Sequence, residues 1–361
     1  MRQKVGMAGV VVLVLAIWVT GFLWARGDLD LSTAGAPASE PTSEASSSAA
    51  PSATASATPD EPASPPPLSA APRRQGDPIV DPELLAELRE GVQVEEPPVV
   101  DTVVASFNLL GADHSEPGGT KPGFAGWSTR LDLSMRALDR ARVSLVGFQE
   151  MQPVQARAFA ARARGWQMHP QASRVDPAGR NVVAWRSAEW ELVQGGSVPI
   201  TYFSGEIMNM PVALLRHRET GMLVYASSFH NPASTPRRGN QLRWRDEATR
   251  RQIALVQRLR RTGIPHLMTG DFNEPTKHFC RLTGATGFTS PAGGSHDGTC
   301  RPPARPLIDW IYGDPEVEWT AYAGIRDATV RRASDHALVV GGVRLDASRF
   351  PDAWSGEVVT P

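Results

Sequence analysis

The chain has 361 residues, 41% of them hydrophobic and 21% charged, with a formal net charge of −1. Two cysteines are too few for a disulfide framework or an all-thiolate zinc site, which removes the small disulfide-stapled class. The near-zero charge is a sum of unlike parts: Ala25 to Pro98 carries 13 Asp/Glu against 4 Arg, whereas Val99 to Gly341 carries 22 Asp/Glu against 29 Lys/Arg and is basic by 7. A basic globular part favours anionic partners such as nucleic acid, phospholipid or phosphorylated metabolites. The bland alternative is an arginine-biased surface, because only Lys4, Lys121 and Lys277 are lysines.

Residues 1–5 contain Arg2 and Lys4, and an apolar run from Gly6 to Trp24 follows. Residues 6–24 are about the length that crosses a hydrocarbon core as a helix. A cleaved signal would be shorter, with a small-x-small site close behind it, and the nearest candidate, Ala34-Gly35-Ala36, lies far from Trp24. The expectation is an uncleaved single-pass anchor in the cell membrane. Positive charge before the span, with Asp28 and Asp30 after it, puts residues 1–5 in the cytoplasm and exports the rest. Cleavage would make the protein secreted. Residues 25–98 read as a linker: Leu31 to Pro72 is almost entirely Ser, Ala, Pro, Thr and Glu, has nothing to bury, and is expected to be disordered. Asp81-Pro82-Glu83 ahead of Leu84, Leu85, Leu88 and Gly91 predicts one short helix near 82–90.

The dense apolar patterning runs over residues 99–345, enough chain for one sizeable core, and leaves 346–361 as a tail. Within it, β-rich runs end abruptly in polar residues. Val103–Phe107 delivers Asn108, and Ser144–Phe148 delivers Gln149-Glu150. Between them Leu131, Met135 and Leu138 keep helical spacing over Thr129 to Ala141, giving a strand–helix–strand unit. Leu223–Phe229 then delivers His230-Asn231, and Ile264–Met268 leads to Gly270-Asp271-Phe272-Asn273. Leu307–Tyr312 carries Asp309 inside an apolar strand, and Ser334-Asp335-His336 precedes Ala337–Val340. Cys280 and Cys300 admit two readings, one bridge closing the loop between them or two buried free thiols.

Singly, each of these polar residues is an ordinary turn, cap or core group. Asp309 is different, because a carboxylate buried without a partner is expensive, and a histidine is the natural partner. Together they supply hard oxygen ligands, amides and imidazoles without thiolates. That donor set suits Mg²⁺, Mn²⁺ or Ca²⁺ and has the parts for attack of water on a phosphodiester.

The ordered series Ser106-Phe107-Asn108, Gln149-Glu150, His230, Gly270-Asp271-Phe272-Asn273, Ile308-Asp309 and Ser334-Asp335-His336 closely resembles the endonuclease/exonuclease/phosphatase superfamily, from about Val99 to about Leu345. Trp127 and Arg130 fit the family's usual opening of the first helix. The resemblance implies an α/β fold, a four-layer sandwich of two mixed sheets packed face to face with helices outside. It implies Glu150 as the principal Mg²⁺ ligand with Asn108 and Asp335 beside it, and His336 as general base oriented by Asp309. Asp271 and Asn273 would position the nucleophile and the phosphate, and His230 would contact the phosphate or assist the leaving group. Pancreatic-type deoxyribonucleases have a supporting glutamate that Gly179–Arg186 lacks here, which puts the acid/base role of His230 in doubt and offers Arg180 or Asn181 as phosphate contacts.

From Arg237 to Arg261 there are nine Arg against Asp246 and Glu247, with Ile253, Val256 and Leu259 at helical spacing. This face is either merely solvated or uses Arg237, Arg238 and Arg243 to grip a polyanion. The expected activity is extracytoplasmic, metal-dependent hydrolysis of phosphodiesters, first in nucleic acid. A lipid headgroup or inositol phosphate is the alternative substrate, and a catalytically silent binding module of the same fold is the alternative class. No protein partner is expected.

Overall fold

Over the residues that the computed structural model describes, 97–176 and 180–354, the β-rich runs become the strands of two mixed sheets and a short hairpin. The anchor expected at 6–24, the linker with its helix near 82–90, and the end of the tail lie outside the described residues. Among the described residues, no helix is long and apolar enough to cross a membrane.

The first sheet has the order β12-β13-β1-β2-β4-β3. Its strands are β1 (Val99–Asn108), β2 (Leu145–Gln149), β3 (Trp166–His169), β4 (Val182–Arg186), β12 (Glu318–Ile325) and β13 (Leu338–Asp346). The second has the order β11-β8-β7-β6-β5, from β5 (Trp190–Thr201), β6 (Ile207–His217), β7 (Leu223–His230), β8 (His266–Asp271) and β11 (Asp309–Gly313). Among the described strands, only the pairs β1/β2 and β7/β8 are parallel. The hairpin joins β9 (Ser295–His296) to β10 (Cys300–Arg301).

Strand alternation sorts the side chains into layers. Val104, Leu145 and Val183 of the first sheet pack with Val212, Phe229 and Met268 of the second. The sheets touch directly: Ser228 Oγ donates to the Phe148 carbonyl at 2.9 Å, and Gln149 Nε2 donates to Ser228 Oγ at 3.1 Å. Phe107, Phe148 and Val340 face the other way, onto Leu131 and Leu138 of α1 (Trp127–Arg140), Phe159 of α2 (Pro153–Arg162) and Val330 of α5 (Ala328–Ala333). Helices α3 (Leu242–Arg260) and α4 (Lys277–Thr286) cover the second sheet with Val256, Leu259, Phe279 and Leu282. Each such side chain, fully buried, contributes roughly 1.5–3 kcal/mol. The result is the four-layer α/β sandwich expected from the sequence.

Local signals set the helix limits. Pro153 occupies the first turn of α2, where Gln152 and Gln155 form a reciprocal capping box. Asp327 caps α5 by accepting from the Val330 N–H at 2.9 Å. Packing continues past the expected end at Leu345: the Ala347 N–H donates to the Pro98 carbonyl at 3.0 Å, and Ala347, Phe350 and Ala353 are buried in the core. Of the two readings for the cysteines, the bridge is the one found, tying Cys280 on α4 to Cys300 on β10.

Candidate active site

Topology gathers the polar strand ends at one edge of the sandwich. The parallel strands β1 and β2 end together, with Asn108 beside Gln149, and β7 and β8 end together, with His230 beside Asp271. Strands β11 and β13 run antiparallel to β8 and β1, so it is their beginnings that reach the same edge. Asp309 therefore lies opposite Asp271, and His336 sits just ahead of β13. Four residues at this edge, Leu110, Glu150, Arg180 and Asn273, hold positive φ of 48–58° without being glycine. Such backbone costs of order 1–3 kcal/mol per residue and persists where surrounding contacts over-determine it.

The Asp309 carboxylate, buried in its strand, finds the histidine it requires. His336 Nδ1 lies 2.9 and 3.0 Å from its two oxygens. The other ring nitrogen, Nε2, is 3.8 Å from Asp271 Oδ2, which is also 3.5 Å from His230 Nε2. Burial alone would lower the His336 imidazolium, but the carboxylates of Asp309 and Asp271 outweigh it and hold its pKa well above the usual range. His230 has a further neighbour: the Tyr202 hydroxyl is 3.4 Å from its Nδ1. Burial pushes the Tyr202 phenol up, so it stays a proton donor.

Glu150 and Asp335 share the cavity over this edge with Asp271, and Asp113 and Glu206 also line it. Glu150 Oε2 accepts the Gly111 N–H at 2.9 Å and lies 3.3 Å from His114 Nε2. Burial would raise the Glu150 carboxyl, but the His114 hydrogen bond, the charge of His230, and the Gly111 and Asn108 donors hold it well below the carboxylate range. Asp335 Oδ2 meets Lys121 Nζ at 2.9 Å, whereas its Oδ1 is buried without a hydrogen-bond partner. Two anionic groups that attract side-chain cations, one with an orphaned oxygen, fit a hard divalent ion. Asn108 departs from the expected ligand role: its Oδ1 accepts the Leu110 N–H at 3.0 Å, and its Nδ2 donates to Glu150 at 3.0 Å and Asp271 at 3.1 Å. It braces the two carboxylates through its amide nitrogen. Ligand atoms of Asp271, Asp309 and His336 also lie within 4.8 Å of one another. Because His336 Nδ1 already bonds Asp309, that triad is better described as a histidine–carboxylate couple than as a metal cage.

A cavity of about 830 Å³ opens over these groups. Glu150, His230, Asp271, Asn273, Asp335 and His336 line it, and Arg180, Arg237 and Arg238 stand in its walls. Asn273 is held by its N–H to Asp271 Oδ1 at 3.0 Å and its Nδ2 to the Asn231 carbonyl at 2.8 Å. Asn181 is not in this cavity. It is buried beside a smaller recess of about 370 Å³ that shares Arg180. Arg243 also lies elsewhere, its guanidinium 4.7 Å over the Trp244 ring. Much of the charge on α3 is spent locally, with Arg245 on Glu274, Arg251 on Glu247 and Arg260 on Asp314.

Residues 105–336, more than half of the chain, match the sequence model of the Endonuclease/Exonuclease/phosphatase family. The chain belongs to this family. Solved structures of the same fold include an endonuclease/exonuclease/phosphatase family protein from Bacteroides thetaiotaomicron, at 16% identity and a TM-score of 0.54, covering 70% of this chain and 98% of that one. The mannosyl-6-phosphatase of the same organism has 16% identity and a TM-score of 0.50, over 67% of this chain and 99% of its own. TDP2 of D. rerio, complexed with single strand DNA product, has 15% identity and a TM-score of 0.50, over 67% and 98%. No curated protein matches the chain significantly.

Sequence reasoning missed several residues of this family member's site. His114 and Lys121 come from the loop between β1 and α1, and Tyr202 and Phe203 from the turn between β5 and β6. None belongs to a motif, and the one available signal was an aromatic pair beside Gly205 just past a strand. Arg130, which the family resemblance places at the opening of the first helix, has a task in this turn. It is buried, and its guanidinium donates to the carbonyls of Leu109, Leu110 and Gly111 at 2.7, 2.6 and 3.1 Å. It thus fixes the turn that carries the Gly111 N–H to Glu150.

Proposed function

We propose that this chain hydrolyses phosphodiester bonds with the help of a divalent cation, Mg²⁺ first and Mn²⁺ or Ca²⁺ as alternatives, and that its substrate is nucleic acid met outside the cytoplasm. The observation that carries the reading is the convergence of Glu150 and the Asp309–His336 couple on one cavity walled by Arg180, Arg237 and Arg238. Phosphodiester chemistry asks for both halves, because a cation alone does not deprotonate water in line with the phosphorus and a base alone leaves the phosphoryl charge unbalanced.

Glu150 and Asp335 are the side chains that would hold the cation. Bound there, it would neutralise charge on the non-bridging phosphate oxygens. His336 accepts a proton from the attacking water at Nε2 once the negative field of Asp271 and Asp335 is balanced, and Asp309 at Nδ1 fixes the ring and stabilises the imidazolium that forms. Asp271, between the two histidines, orients the water. Asn273 and Arg180 bond the phosphate oxygens, and His230 assists the leaving oxygen with Tyr202 behind it.

Two observations support an exported location. Arg2 and Lys4 precede an apolar run of membrane-spanning length, and the Cys280–Cys300 bridge suits an oxidising compartment. The nucleic-acid reading draws on the three cavity arginines and on the single-strand DNA product held by the TDP2 structure. The test is a panel of plasmid DNA, RNA, sphingomyelin and an inositol phosphate, with EDTA and Mg²⁺ controls and His336→Ala alongside. Metal-dependent cleavage of DNA or RNA alone upholds the reading. Cleavage of the lipid or inositol phosphate alone replaces it, and hydrolysis of nothing leaves a silent binding module.

A further inference from the structure

We propose that Phe203 and Arg238 form a stacking platform for a base of the substrate, so that the enzyme acts on strands whose bases are unpaired and not on duplexes. The inference rests on the nuclease reading and deepens it. Phe203 and Arg238 both line the large cavity, with the guanidinium 4.7 Å from the ring centroid. The Tyr202 ring lies 4.4 Å from that of Phe203 and 5.5 Å from that of His230, so the platform adjoins the group assigned to the leaving oxygen.

The turn that carries Phe203 is rigidly seated. Thr201 Oγ1 donates to the Trp244 carbonyl at 2.9 Å, and the Ser204 N–H donates to Gln241 Oε1 at 3.0 Å. The Gln241 amide in turn donates to the Arg238 carbonyl, tying the two halves of the platform together. Gly205 has φ of 87°, and a Cβ there would come within 2.7 Å of the Trp244 ring, so the turn closes onto α3 only with glycine. Ser204, at φ 55°, is strained without being glycine.

A bare phosphate would need the arginine but not the ring. An aromatic ring with a guanidinium over one face suits a planar base of any identity, through stacking and cation–π attraction. Inside a duplex both faces of a base are covered by its neighbours, so an interior base can reach the platform only when it leaves the stack.

The experiment compares three substrates with the full chain and Mg²⁺: a single-stranded oligodeoxynucleotide, the same strand annealed to its complement, and a strand of abasic spacers. The expected result is a KM about tenfold lower for the single strand than for the other two, the size typical of one stacked base. Phe203→Ala should bring the ratio of abasic to base-bearing KM close to one, and Phe203→Trp should restore it. If the alanine variant does not fold, Phe203→Leu keeps the apolar bulk without the ring and reads the same ratio. Equal KM for base-bearing and abasic strands, or a ratio that survives loss of the ring, overturns the platform while the nuclease reading stands. Hydrolysis of no nucleic acid at all overturns both.

Discussion

Asp309 pairs directly with Asp271 across the β8–β11 ladder, and His336 reaches both carboxylates, Asp309 through Nδ1 and Asp271 from Nε2. Directly opposed residues of an antiparallel pair project to the same face. Two like charges there would repel, and the imidazole lies between them: one carboxylate holds the ring at Nδ1 and the other faces Nε2.

Asp309→Asn should therefore lower kcat by about 10³- to 10⁴-fold with KM changed only a few-fold. The amide keeps the geometry but no longer stabilises an imidazolium. Initial rates on a phosphodiester over a range of concentrations check this.

Acid should destabilise the protein through two interior histidines. Burial depresses His266 and His278 to about 3. Gln252 Oε1 can only accept, so His278 Nε2 donates to it at 3.1 Å and Nδ1 accepts from the Tyr312 hydroxyl at 3.2 Å. A folded pKa below the unfolded value means that this stability is complete above about pH 6.5 and is lost as pH falls toward about 3. Each histidine then contributes a slope of roughly 1.4 kcal/mol per pH unit, or about 2.7 kcal/mol by pH 4.5. Urea unfolding at pH 7 and 4.5 should show the loss, and His278→Gln should remove about half of the slope.

Arg130→Met should cost about 3–5 kcal/mol, because it strands several buried carbonyls at once. Chemical denaturation measures the loss. The surviving folded fraction should also bind Mg²⁺ more weakly, because the Gly111 N–H no longer holds Glu150 in place.

Much of the polar cluster at this edge was legible in the sequence because its residues sit where short apolar runs stop or start. Asn108, Glu150, His230, Asp271 and His336 each mark such a point, and strand ends on parallel neighbours meet without further instruction. The walls were not legible. Tyr202, Phe203, His114 and Lys121 lie on turns whose path depends on distant partners such as Trp244 and Asp335. Arg180 and Asn181 look equivalent as neighbours, yet Arg180 has left-handed backbone ahead of β4, and of the two only Arg180 reaches the cavity. Asn108 occupies the expected position, and there its oxygen accepts the Leu110 N–H while its amide nitrogen joins Glu150 to Asp271.

Glu150→Gln should weaken Mg²⁺ binding by about 10- to 100-fold in calorimetric titration, a range reached even by groups that merely support metal ligands. His114 should at the same time lose its raised pKa, whose main cause is the Glu150 hydrogen bond. Its ring resonances in an NMR pH titration report that change independently of activity.

The most direct measurement is the rate of bis(4-nitrophenyl) phosphate hydrolysis by the wild type, Glu150→Gln and His336→Ala, each taken through EDTA and then excess Mg²⁺. The account predicts that wild-type hydrolysis stops with the chelator and returns with the metal, and that both folded variants stay nearly inactive throughout. Undiminished hydrolysis in EDTA, or either variant turning over at the wild-type rate, would contradict a single metal-assisted site built from Glu150 and the Asp309–His336 couple.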